Sequence, residues 1–156
     1  MSGSLPGTAA VGDVFETVLT EDLTRTQLVM YAGSSGDYNP LHTDDLYARE
    51  AAGYPGVFAH GMLTMGMTGR AVTELIGDAC LLRYGVRFRS QVWPGDRLTT
   101  RLTVSSVTEE GGARIVELDV VTTNGAGVEV VSGYAAATLG PATSIASAAP
   151  AESASA

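Results

Sequence analysis

Asp37 and His42 stand five residues apart in the segment Asp37-Tyr38-Asn39-Pro40-Leu41-His42. A carboxylate and an imidazole held side by side can share one bound water, each giving or accepting a proton. That is general acid–base chemistry suited to adding water across a double bond or removing it. Pro40 removes an amide donor and biases Asn39 away from helix, so the loop should be turned and stiff. Asn39 carries amide groups able to fix the orientation of either partner. The same residues also have a plainer reading, a turn whose Asp and Asn bond their own backbone.

A second component lies about twenty residues on, in Ala59-His60-Gly61-Met62-Leu63. It opens a helical pattern running to Ile76, with Gly77 as the stop. The first amides of a helix lack intrahelical acceptors, and the helix dipole makes that end positive. Gly61, without a side chain, would let a substrate carbonyl approach its N–H, where a developing oxyanion is stabilised. His60 read alone is a helix-entry residue. A metal site built from Asp37, His42, Asp44 and His60 has no HxxxH or CxxC spacing to support it, so no metal and no cofactor are expected. Met62, Met65 and Met67 read as core, and Cys80 has no sequence neighbour suited to lowering its pKa.

The elements that must hold these groups follow from period and punctuation. Residues 12–20 alternate as a strand, with Val14, Glu16 and Val18 on one face and Phe15 and Leu19 on the other. Thr24-Arg25-Thr26-Gln27 is a capping-box pattern, and the helix it opens should end within Gly33-Ser34-Ser35-Gly36. Thr43 is the expected N-cap of a short helix over 44–51. The helix from Gly61 leaves little polar surface and should be buried on most sides. Gly66 and Gly69 inside it each cost roughly 1 kcal/mol against alanine, which a close backbone approach or a kink would explain.

From Cys80 the period becomes two. Residues 82–90 read as a strand, 92–96 as a turn, and 97–108, 114–123 and 128–139 as three more strands. Gly111-Gly112 and Asn124-Gly125 are the expected hairpin turns. A strand, a helical region and then a meander make an α+β domain over 12–139, with the sheet curling around the long helix. Residues 1–11 and the Ala/Ser/Pro-rich stretch 140–156 are expected to be flexible and disordered, respectively.

Composition narrows the function classes. With 45% apolar and 17% charged residues the chain is globular in character. All nine basic residues are arginines and the net charge is −8, so no polybasic patch for nucleic acid is expected. No apolar run approaches the ~20 residues that span a bilayer. The single cysteine fits a reducing, cytoplasmic setting.

The two motifs in this order, together with Phe88 and the later Trp93-Pro94-Gly95-Asp96, resemble the MaoC-like (R)-specific enoyl hydratase/dehydratase family. The resemblance covers about residues 10–139. It implies a hot-dog fold, an antiparallel sheet around a long central helix, paired with a second such unit as a homodimer or heterodimer. It also implies substrates carried as thioesters on coenzyme A or acyl carrier protein. Carried over, Asp37 and His42 activate water and Gly61 polarises the thioester carbonyl. Asn39, Tyr38, His60, Met62 and Leu63 are the expected supporting or substrate-binding residues. Some members place a serine about eight residues past that glycine to bond the catalytic aspartate, whereas position 69 here is glycine. Catalytic subunits of actinobacterial fatty-acid-synthase dehydratases, which work with a motif-less partner, are a closer pattern. Two other readings stay open: a hot-dog thioesterase, and a subunit that only binds acyl chains.

Overall fold

The computed structural model describes Leu5, residues 8–110 and residues 113–139. Its first strand, β1, is Val14–Thr20, followed by helix α1, Arg25–Ser35. A single 3-10 turn at Pro40–His42 and a π-helical turn at Tyr47–Ala51 lead to the long helix α2, Gly61–Ile76. Strands β2 (Leu81–Phe88), β3 (Leu98–Glu110), β4 (Ala113–Asn124) and β5 (Glu129–Leu139) complete one sheet. Its order is β1-β3-β4-β5-β2, with every pairing antiparallel. This is α+β, the hot-dog fold that the resemblance implies.

Alternation builds the sheet's inner face. Leu98, Thr100, Leu102 and Val104 on β3 are buried, as are Val116, Leu118, Val120 and Thr122 on β4. Against them α2 buries Thr64, Thr68, Ala71, Val72 and Ile76, a stripe at three- and four-residue spacing. Burying a side chain such as Val72 stabilises by about 1.5–3 kcal/mol. Three threonine hydroxyls cross this interior as a chain, with Thr68 Oγ1 2.8 Å from Thr122 Oγ1 and Thr122 2.8 Å from Thr100. Each finds a partner, which removes the cost of burying it. Tyr84 ties β2 to α2 by donating its hydroxyl to the Met65 carbonyl at 2.9 Å. Burial pushes its phenol pKa up to about 12, so it remains a donor throughout the neutral range.

Several expectations need correction. The helix α2 is not buried on most sides, because a single sheet covers only one of its faces. Met62, Gly66, Arg70 and Glu74, spaced by four, lie exposed. Of its two inner glycines, Gly69 faces a side chain instead of the expected backbone: an added Cβ would lie 3.1 Å from the Tyr84 ring. An added Cβ at Gly66 meets nothing within 4 Å among the described residues, and no contact there explains it. Asp44, not Thr43, caps the short helical segment, its Oδ1 accepting from the Leu46 and Tyr47 amides. The Asn124-Gly125 connection is a longer loop than a two-residue turn. Asn124 Oδ1 accepts from Ala126 and Val128, and the positive φ falls at Gly127. Residues 1–11 are not wholly loose, since Leu5 and Ala9 are buried against Val72 and Ile76, and the Leu5 amide donates to the Leu75 carbonyl. The expected Gly111-Gly112 turn and the 140–156 tail lie outside the described residues.

The capping box at Thr24 is present in both directions, with Gln27 bonding back to the Thr24 amide at 2.8 Å. Helix α1 ends where Gly36 adopts φ 74°, and that left-handed residue turns the chain into the segment carrying Asp37 and His42.

Candidate active site

The loop from Asp37 is held by its own side chains. Asp37 Oδ1 accepts from the Asn39 amide at 3.2 Å, and Asn39 Oδ1 from the Leu41 amide at 3.0 Å. The plain turn reading therefore describes the local structure correctly, and it leaves the chemistry available. Asp37 Oδ2 has no protein partner among the described residues, and the aspartate is exposed. Asn39 acts through the backbone, capping the turn that carries His42.

His42 is aimed by a strand-like pairing with the segment ahead of α2. The Phe58 amide donates to the Leu41 carbonyl, and His42 Nδ1 lies 2.7 Å from the Phe58 carbonyl oxygen. A carbonyl only accepts, so Nδ1 carries the hydrogen and Nε2 keeps a free lone pair. That segment is fixed in turn from both sides. The Ala59 amide donates to Val92, at the start of the Trp93–Asp96 turn, and Val57 donates to Asp45 Oδ1 at 3.1 Å.

The Val57 amide first, and the Arg25 guanidinium second, hold the Asp45 carboxyl below the usual carboxylate range. A lowered acid contributes stability above its unfolded pKa and loses it as pH falls through the folded one. Asp45→Ala should therefore melt below the wild type at neutral pH. Thermal scans on a pH series should show that gap closing as the pH falls through the lowered Asp45 value.

His60 is 2% exposed, and its ring stacks on His42 with centroids 3.8 Å apart and 31° between planes. Its Nε2 lies 3.0 Å from the Asp37 carbonyl oxygen. Ligand-capable atoms of Asp37, His42 and His60 lie within 4.8 Å of one another. Stacked rings send their in-plane lone pairs side by side instead of toward one point. The grouping therefore suits a proton-handling pair on a braced base better than a metal cage.

Gly61 opens α2, and no side chain caps that helix end. Beside it is a cavity of about 280 Å³ lined by Phe58, Gly61, Thr64, Phe88, Gln91 and others. A free, positively polarised amide beside a cavity can hold a developing oxyanion. The glycine has a further cause that the sequence did not reveal: the Phe88 ring fills the space, and a Cβ would lie 3.2 Å from three ring atoms. Gly61→Ala should cost about 1–3 kcal/mol of stability by overpacking. Phe88→Leu in the same chain should recover most of it, as a double-mutant cycle by denaturant melts would show.

The other sequence-selected residues are placed unequally. Leu63 faces inward beside Met67, packed against the cluster that contains Leu28 and Ala71. Tyr38 is 70% exposed and Met62 55%. Phe58, Phe88, Tyr31 (5.0 Å from the His60 ring) and Ser35 were missed as site residues. Phe58 acts through its carbonyl, and no side-chain pattern could have flagged it.

Comparison with known proteins follows the same lines. The MaoC-like domain profile matches residues 7–126. The chain is 36% identical over 111 residues to 3-hydroxyacyl-thioester dehydratase Y of Mycobacterium tuberculosis, covering 69% of this chain and 37% of that protein. It is 36% identical over 89 residues to the peroxisomal enoyl-CoA hydratase 2 of Arabidopsis thaliana, covering 55% of this chain and 28% of that one. The chain thus spans about a third or less of the curated relatives named here. The R-hydratase PhaJ1 of Pseudomonas aeruginosa superposes with a TM-score of 0.75 at 29% identity, covering 86% of this chain and 84% of that one. With the two motifs on one site, the hot-dog sheet around α2 and a profile match across most of its length, the chain belongs to the MaoC-like domain family.

Proposed function

We propose that this chain interconverts trans-2-enoyl and (R)-3-hydroxyacyl thioesters, carried on coenzyme A or acyl carrier protein, by adding or removing water. The observation that carries the reading is that ligand-capable atoms of Asp37, His42 and His60 lie within 4.8 Å of one another, with His60 the residue directly ahead of the uncapped start of α2 at Gly61. The names of the dehydratase and hydratase relatives support it. In hydration, His42 Nε2 takes a proton from water as the oxygen bonds C3. Electron density moves onto the thioester oxygen, where the Gly61 N–H stabilises it. The Asp37–His42 pair then returns a proton to C2, and delivery from one side makes the addition syn. The thioester matters because it supplies the carbonyl and acidifies the C2 proton in the reverse direction.

A second hot-dog unit, identical or not, belongs to the same reading. The exposed Met62 face of α2 and the exposed Asp37-Tyr38-Asn39 loop leave the site open on one side. No described helix is long and apolar enough to cross a membrane, and the reading places the chain in the cytoplasm on its single cysteine.

The test mixes the protein with crotonyl-CoA, following loss of the enoyl-thioester absorbance, with a parallel assay for free thiol. Loss of absorbance without thiol release supports hydration. Thiol release from a saturated acyl thioester would replace the hydratase with a thioesterase.

A further inference from the structure

We infer that His60 is a positioning residue that braces both members of the acid–base pair, a deepening that rests on the hydratase reading. The carbonyl of Asp37 can only accept, so the 3.0 Å contact makes His60 the Nε2–H tautomer. Its Nδ1 is then a bare lone pair, and that atom is buried with no hydrogen-bond partner among the described residues. A buried unpaired nitrogen is a cost, and folded proteins keep few of them. An apolar side chain here would avoid that cost, so a histidine needs a compensating role.

Two contacts provide it. The ring's edge holds the backbone of Asp37, and its face lies under His42 at 3.8 Å. The Tyr31 ring also flanks His60, with centroids 5.0 Å apart. One rigid side chain therefore sets the separation of the carboxylate and the imidazole that must share a water. At position 69, where some relatives of this pattern carry a serine, a side chain would need the Tyr84 ring, 3.1 Å from where its Cβ would be, to shift. Support for Asp37 comes instead from His60 and from Ser35, whose hydroxyl accepts from the Asp37 amide at 3.2 Å.

Two variants separate the contacts. His60→Gln keeps an N–H of similar reach and loses the ring; His60→Phe keeps the ring and loses the N–H. Each should lower kcat on crotonyl-CoA about 10²-fold with KM changed less than about threefold, as expected when the reacting groups are misplaced without losing substrate contacts. The chain has two histidines in all, so nitrogen-15 spectra of labelled protein contain two rings and assign both. In alkaline solution the wild type should show His60 as Nε2–H and His42 as Nδ1–H. In the variants the remaining His42 should stay Nδ1–H, held by the Phe58 carbonyl, while its nitrogen-15 shifts move with the lost ring or the displaced carboxylate.

His60 found as Nδ1–H in the wild type overturns the inference, even if neither variant folds. So does a wild-type kcat in both variants, or unchanged His42 nitrogen-15 shifts beside a fall in kcat. Absence of wild-type turnover counts against the hydratase reading alone, because the spectra decide the bracing without it.

Discussion

His42→Ala should lower enoyl-thioester hydration by about 10²–10⁴-fold, the range that a positioned general acid or base contributes. The folded state should barely change. The variant gives up the Nδ1–H bond to the Phe58 carbonyl, worth about 1 kcal/mol, and the stacking on the His60 ring, a loss small beside that in activity. Asp37→Asn is the sharper companion. The introduced amide oxygen can still accept from the Asn39 N–H and keep the turn, yet the amide can neither take nor give the proton. Its activity should fall as far as that of His42→Ala, with a melting temperature near the wild type's. The double variant should be little worse than either single one, because the two act as one unit. Activity within a few-fold of wild type in Asp37→Asn, or unfolding that tracks the activity loss, would remove the pair from the mechanism.

The largest effect on stability should come from Gly133→Ala. Gly133 pairs with Val86 across the β2–β5 ladder. A Cβ there would lie 2.1 Å from the Gly85 carbonyl oxygen and 2.9 Å from Val86 Cα. Both obstacles are backbone, so no side chain can swing aside, and the edge strand must move away. The loss should exceed about 3 kcal/mol, above the usual overpacking range. The consequence reaches the site, since β2 ends in Phe88, which packs on Gly61. Chemical denaturation would measure the loss, and hydrogen exchange should show β2 amides exposed first. A change under about 1 kcal/mol would mean that the two strands are less closely apposed than described. Gly85→Ala is the milder control, because its Cβ would meet the Tyr134 side chain, which can rotate.

The bounds of this fold were largely legible because its signals are local. Alternation marks β3 and β4 through their inward Leu, Val and Thr residues, and the Thr24–Gln27 box marks the start of α1. Asp37, His42 and Gly61 could be chosen for the same reason: a stiff loop and a helix entrance are written in neighbouring residues. Misjudgements fell where the deciding neighbour was distant. The pattern of α2 records which residues are apolar but not how many faces the sheet covers, so an exposed row at Met62, Gly66 and Arg70 stayed hidden.

Chemical types and local turns were thus determined by the sequence alone, down to the glycine at the mouth of α2. Only the tertiary structure decided that Phe88 occupies the space over Gly61, that Phe58 presents its carbonyl to His42, and that His60 lies beneath the pair. Each of those contacts joins residues far apart in the chain through a backbone atom or a ring face. Neither leaves a period or a spacing in the sequence, because such contacts depend on where folded elements meet.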